Sequence, residues 1–347
     1  MNAIATIGLD IAKKVFQVHG IDEQGQIVVQ NQLSRKDVLD WFSQQNPCLI
    51  GIEACATATY WARAISKFGH DVRLIPPAYV KPYVRRQKND RADAAAICEA
   101  VSRPSMRFVA IKTSEQQEIQ VLHRARELLV AQRVQTSNAL RAHMAEFGIV
   151  FPLGNAGLAQ AMATIKDEGS SDLPAFAVSI LRALVDQIER IKKEITQFDK
   201  LMREWHRANP DSRRLTTIPG IGVITATALV AAIGNGKQFK SAREFAAWVG
   251  LVPNQNSSGG KERLGRISKK GNPYLRTLLV VGATAMLQGR SRDKAAGGDW
   301  FRALLLRKSP RVATVALANK MARVAWAILI KGEVFRRAPV AAAEAAA

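Results

Sequence analysis

The stretch running up to "DVRLIPP" constrains the fold most, because short strand-like runs alternate there with helical ones in a definite order. "AIATIGLDIA" reads as a buried strand, and "VFQVHGI" and "QIVVQNQL" read as two more, separated by the turn "DEQGQ". "SRKDVLDWFSQQ" reads as a helix opened by an N-capping Ser34, and "CLIGIEA" as the next strand. "TATYWARAISKFG" reads as a helix ending at Gly69, and "DVRLIPP" as a further strand.

Three meandering strands followed by alternating helix and strand is the order of a ribonuclease-H-like α/β core. A doubly wound nucleotide-binding sheet is the main competing fold. Against it, neither G-x-G-x-x-G nor G-x-x-x-x-G-K-[ST] follows the first strand, so the turns that cradle phosphates are missing.

From Ser114 onward the pattern is helical. "SEQQEIQVLHRARELLVAQRVQTSNALRAHMAEFG" predicts a helix about 50 Å long at 1.5 Å per residue. A second long helix sets Leu181, Leu184, Ile188, Ile191, Ile195, Phe198, Met202 and Trp205 at spacings of three and four, a coiled-coil seam. Two readings of that seam stand side by side: an antiparallel hairpin within the chain, or a dimer contact. "LTTIPGIGVITATALVAAIG" then resembles a helix-hairpin-helix element, whose glycines let backbone amides approach phosphates. The last helix takes Ser309 as N-cap, Pro310 at its first position and Gly332 as its stop, before a disordered tail "APVAAAEAAA". The predicted organisation is a catalytic α/β domain at 1–113, coiled-coil helices at 114–208, a mainly helical domain at 209–338 and a tail at 339–347.

Charge points to a polyanionic partner. The chain carries a formal +21, of which residues 201–347, with 25 Lys and Arg against 8 Asp and Glu, hold +17. Such an excess gains most by displacing counterions from nucleic-acid phosphates, and it places the basic surface in the C-terminal part. The last helix, "PRVATVALANKMARVAWAILIKG", is interrupted by Arg311, Lys320 and Arg323, and no signal-peptide pattern opens the chain, so a cytosolic protein without a membrane partner is expected. Cys48, Cys55 and Cys98 show neither zinc-ligand spacing nor a disulfide framework. His19, His70, His123, His143 and His206 are scattered and read as surface or core side chains.

Four acids form the main chemical pattern. Asp10 sits at the outer end of the first strand in "IGLDIAKK", and Glu53 ends another strand in "LIGIEACA". Asp90 and Asp93, in "KNDRADAAAICEA", are three apart at a helix start and share one face. Either alone reads more readily as an N-cap or first-turn acid. Together, two strand-end acids and an i, i+3 pair form an arrangement that clamps two divalent cations, with Mg²⁺ favoured by hard oxygen ligands, for phosphodiester displacement.

A second pattern lies in "PNQNSSGGKERLGRISKKGNPYLR". Its Ser257 and Ser258 precede two glycines and a basic run, with no histidine nearby to act as base. Locally this is a Gly-rich turn among solvated hydroxyls, or a nucleophile beside phosphate-binding side chains.

"GLDIAKK", "GIEACATATYW", "KNDRADAAAI", "IPGIG", "FAAWVGLVPNQNSSGGKERLGRISKKGNPYLRTLL" and "LLLRKSPRVATVALANKMARVAWAILIKG" together resemble the DEDD transposases. This is the RuvC-like insertion-sequence family related to the Piv DNA invertase, some of whose members act as bridge-RNA-guided recombinases. The resemblance covers nearly the whole chain. It implies that Asp10, Glu53, Asp90 and Asp93 bind metal, two Mg²⁺ per composite site. It implies that the long helices dimerise and that Ser258, directly before a glycine after "GL-x-P", is the nucleophile, with Ser257 as the alternative. Attack would leave a 5′-phosphoserine and a free 3′-hydroxyl.

On that reading Lys261, Arg263, Arg266, Lys269, Lys270 and Arg276 contact phosphates around the cleaved bond. Lys81, Arg85, Arg86 and Lys88 grip the same duplex or the guide RNA. The implied partners are donor and target DNA, a structured noncoding guide RNA, and further copies of the chain as homodimers paired into a homotetramer. Three other readings are a RuvC-like nuclease or junction resolvase working through the acids alone, a Piv-type invertase, and a non-catalytic nucleic-acid-binding protein.

Overall fold

Strands β1 (Thr6–Ile11), β2 (Val15–Ile21) and β3 (Ile27–Ser34) form an antiparallel meander. Strands β4 (Leu49–Glu53) and β5 (Asp71–Ile75) join the other side of β1 in parallel, giving the order β3-β2-β1-β4-β5. The antiparallel meander excludes a doubly wound parallel sheet, and the order is compatible with a RuvC-like fold. This computed structural model describes residues 3–84, 89–167, 173–258, 260–261, 263–288 and 298–336. The chain divides into two units, Met1–Thr113 and Ser114–Ala347.

In the first unit, helices α1 (Val38–Ser43) and α2 (Ala58–Ser66) cover one face of the sheet, where Ile7, Leu9, Phe16, Ile50 and Ile52 meet Phe42, Trp61 and Ile65. The first helix is shorter than its pattern predicts. Ser34 closes β3 instead of capping α1, and its hydroxyl donates to the Asp37 carboxylate, a local bond that competes with helix initiation. A short helix α3 (Pro77–Val80) and a 3₁₀ turn (Lys81–Tyr83) lead toward α4 (Asp90–Val101), which lies on the opposite sheet face.

That face is built for close approach. Gly8 and Gly51 pair directly across β1 and β4. A Cβ on Gly8 would sit 2.0 Å from the Ala94 carbonyl oxygen, and one on Gly51 would sit 2.8 Å from the Cβ of Val101. The two glycines form a smooth floor on which α4 rests, its Ile97, Ala100 and Val101 fully buried.

The second unit opens with α5 (Ser114–Ala145), α6 (Asn155–Lys166) and α7 (Ala175–Ala208). Near the start of α5, Glu115 accepts from Trp205 Nε1 at 3.0 Å, and farther along Arg126 pairs with Asp199 at 2.6 Å. At its end, Leu140 and Met144 share a core with Leu181, Val185 and Ile188. Helices α5 and α7 therefore run antiparallel, side by side in one chain. Of the seam on α7, Leu181, Ile188, Ile191, Ile195 and Met202 are buried, while Leu184, Phe198 and Trp205 are partly so.

The rest of this unit comprises α8 (Pro210–Leu215), α9 (Val223–Ile233), α10 (Ala242–Val249), the hairpin of β6 (Pro253–Gln255) and β7 (Leu264–Ile267), α11 (Pro273–Leu287), α12 (Gly298–Arg307) and α13 (Pro310–Lys331). Leu229, Phe245, Val249, Leu279, Leu317 and Met321 form its core. In the "IPGIG" turn, Gly220 (φ +83°) packs against α11, and a Cβ on Gly282 would lie 2.1 Å from its carbonyl oxygen. This glycine serves internal packing, whereas Gly222 at the start of α9 faces open space. Helix α13 begins with Pro310 after Ser309 and ends at Gly332 in the left-handed conformation. By length and composition α13 is long and apolar enough to cross a membrane, yet half of its most apolar window is buried within the protein.

Candidate active site

The sheet and α4 bring three of the four acids together. Asp10 follows Gly8 by two residues on β1 and so faces the α4 side. Asp90 and Asp93 lie in the first turn of α4, whose N-cap is Asn89: its side-chain oxygen accepts from the Ala92 N–H at 2.8 Å. Because Asn89 does the capping, neither aspartate is needed for it. One carboxylate oxygen from each of Asp10, Asp90 and Asp93 lies within 4.8 Å of the other two.

Among the described residues, no ion pair joins these three acids to a Lys or Arg. Partial burial, and then the negative charges of Asp93, Asp90 and Glu53, push the Asp10 carboxyl from 3.8 up to about 6. Glu53 ends β4 one position beyond the Leu9–Ile52 pair, so the register brings it alongside Asp10. The donor set fits a divalent cation, since converged carboxylate oxygens raise one another's proton affinity until positive charge offsets them.

The two serines differ in their surroundings. Ser257 Oγ accepts from the Arg263 N–H at 3.2 Å and so ties the two arms of the β6–β7 hairpin. Ser258 is exposed, pairs through its backbone with Lys261, and its hydroxyl makes no hydrogen bond among the described residues.

Below the hairpin, the "SKKGNP" turn is held tightly to the end of α10. A Cβ on Gly271 (φ +84°) would lie 1.6 Å from the Trp248 carbonyl oxygen. Arg276 Nη1 donates to the carbonyls of Val249 at 2.9 Å and Lys270 at 3.3 Å, so this guanidinium fixes the turn. Asn272 caps α11 by accepting from the Leu275 N–H.

Lys261, Arg263, Arg266, Lys269 and Lys270 are all exposed on the hairpin and the turn below it. Lys81 is exposed in the 3₁₀ turn, while Arg85, Arg86, Lys88 and the 339–347 tail lie outside the described residues. His70 and His123 are buried and hydrogen-bonded, as core histidines are. Asn89, Gly8 and Gly51 place the acids without carrying chemistry. Asn89 had a legible signal, an N-capping type directly before the helix, whereas the need for the glycines appears only once α4 is docked.

The sheet order and the acidic centre define the class first: an α/β protein with a RuvC-compatible sheet whose acids converge at the end of its central strand and the start of α4. Residues 7–149 match the DEDD-type IS110 family described as "Transposase", and residues 212–296 match the "Transposase IS116/IS110/IS902 family". A "Probable family 20 transposase" of Pseudomonas aeruginosa is 44% identical over 96% of this chain and 99% of its own length. The "Transposase for insertion sequence element IS1328" of Yersinia enterocolitica is 39% identical over 97% of this chain and all of its own. A "Pilin gene-inverting protein" of Moraxella bovis is 25% identical over 82% of this chain and 83% of its own. The chain belongs to the IS110/IS116 family of transposases.

Proposed function

We propose that this protein is a site-specific DNA recombinase that excises and inserts an insertion sequence through a covalent serine intermediate. The observation that carries the reading is the convergence of Asp10, Asp90 and Asp93 within 4.8 Å, in a chain whose relatives bear transposase names. Divalent cations, Mg²⁺ by ligand type, bound there with Glu53 would stabilise charge on the attacking and leaving oxygens of a phosphodiester.

Ser258 is the nucleophile. Both serines are exposed, but Ser257 Oγ accepts a hydrogen bond that ties the hairpin, whereas Ser258 Oγ makes none among the described residues. The Oγ–P bond forms as the P–O3′ bond breaks, and the serine proton ends on the departing 3′-oxygen. The strand is then held as a 5′-phosphoserine, and reversal with a different 3′-hydroxyl rejoins it without an external energy source. Lys261, Arg263 and Arg266 flank Ser258 and hold the phosphates on either side. A structured noncoding RNA supplies target choice by base pairing, and dimers paired into a tetramer supply the cuts, in the cytosol.

The test is a covalent-adduct trap with donor DNA, target DNA, the element's own flanking RNA and Mg²⁺. A DNA-linked peptide from residues 253–276, absent in Ser258→Ala and in Asp93→Asn, is the expected result. Cleavage without any protein–DNA adduct would leave a RuvC-like nuclease and remove the serine from the mechanism. The gene-inverting relative favours a second readout, the orientation of the rejoined segment, which separates insertion from inversion.

A further inference from the structure

Arg311, Lys320 and Arg323 interrupt an otherwise apolar helix, and the second unit gives them a common location. Helix α13 buries Ala313, Leu317, Ala318, Met321 and Ala325 in the core, so its opposite face is left outward. That face and the base of the β6–β7 hairpin bound a groove of about 1220 Å³. Five cations line it, Arg266 and Lys269 from the hairpin side and Arg311, Lys320 and Arg323 from α13, with no acidic side chain among the described residues that line it. Its floor is apolar, including Val312, Val315 and Val324. Trp300 stands at its edge, 43% exposed, with the Lys320 ammonium 4.5 Å from its ring centre.

The turn that carries Lys269 into the groove wall has an unusual backbone. Lys269 has φ +53°, the one non-glycine residue with positive φ among the described residues. That conformation costs a β-carbon-bearing residue free energy, and it is held by the bond from Lys269 N–H to the Gly250 carbonyl at 3.2 Å. A glycine would sit there without strain, and Lys269 lines the groove from this turn.

We propose that this groove takes unpaired nucleotides, with a base against Trp300 and the apolar floor and the adjoining phosphates on Arg311, Lys320, Arg323, Arg266 and Lys269. Cations without acids select a polyanion. The apolar floor selects further, because a paired duplex keeps its base faces stacked inside and only an unstacked base offers one to an indole. The volume exceeds the roughly 300–1,000 Å³ of small-molecule pockets, which suits a short run of nucleotides better than a single free one. DNA strands opened during exchange and single-stranded RNA loops share this chemistry.

The inference rests on the nucleic-acid reading above but not on Ser258. The experiment uses the full chain in EDTA, so that no cleavage intervenes, at fixed salt. Its probes are duplexes of DNA and of RNA, each fully paired or carrying a three-nucleotide bulge that contains 2-aminopurine. The bulged forms are expected to bind about tenfold tighter than the paired ones, the order of one base stacked on an aromatic ring, with quenching of the 2-aminopurine. Trp300→Ala abolishes that preference and the quenching, Trp300→Phe keeps both, and Arg323→Ala weakens the bulged probes more than the paired ones. Thermal unfolding of each variant confirms that it folds. The DNA or RNA arm with the larger preference names the source. Equal affinity for bulged and paired probes, or a preference untouched in Trp300→Ala, overturns the groove assignment alone. A change of oligomeric mass in Trp300→Ala with the preference intact reassigns the face to contact between copies and also overturns it. Failure to bind any probe removes the function proposed above together with it.

Discussion

Gly8 on β1 stands directly opposite Gly51 on β4, and both turn toward α4 a position with no room for a side chain. The separation of sheet and helix, and hence the distance from Asp10 to Asp90 and Asp93, is set by that pair.

Gly8→Ala should therefore damage the acidic centre without touching an acid. Its Cβ would lie 2.0 Å from a helix backbone oxygen and 2.4 Å from the Cys98 nitrogen, neither of which can swing away. We expect a loss of about 3 kcal/mol or more in stability. Titration with Mn²⁺ should show affinity well below that of the parent, and unchanged affinity would mean that α4 does not need this contact.

Asn89→Ala tests the cap that frees the aspartates. Losing an N-cap bond costs about 1 kcal/mol, and the fraying falls on the turn that carries Asp90 and Asp93. Divalent-cation affinity should drop several-fold while Asn89→Asp, an equivalent cap, retains the helix. An equal drop in both variants would point to a role for Asn89 other than capping.

His123 gives the second unit a pH dependence. It is 3% exposed, with Tyr274 Oη and Thr227 Oγ1 each 3.0 Å from a ring nitrogen. Burial, then Arg126 and Arg124, lower its pKa from 6.5 to about 4. Since the fold favours the neutral ring, its contribution is complete above pH 6.5 and is lost as pH falls toward 4, by about 3 kcal/mol. Urea unfolding of the parent and of His123→Gln at pH 7 and pH 4.5 isolates this part. The variant should lose less on acidification, and an equal loss would remove His123 as the cause.

Ser257→Ala removes the bond to the Arg263 N–H but leaves Ser258 in place. The adduct yield should fall a few-fold through loosening of the hairpin, in contrast to its abolition in Ser258→Ala. The reverse pattern in mapped adducts would exchange the roles of the two serines.

Local patterns of this sequence determined the elements. Alternating apolar runs gave the meander and parallel strands, the three–four spacing on α7 marked the buried side of that helix, and Pro310 and Gly332 bounded α13, because periodicity and capping act within a few residues. The same locality explains the misreading of Ser34, whose hydroxyl met Asp37 instead of the backbone of a helix. Tertiary structure alone decided the rest. Asp10 and Asp93 come within reach only because α4 settles on two glycines, Ser257 and Ser258 part only when Arg263 folds back beside them, and the cations of α13 share a groove with Trp300 only after its other face is buried. Those relationships depend on which surfaces exclude water against one another across long chain separations, a choice that no short window of sequence contains.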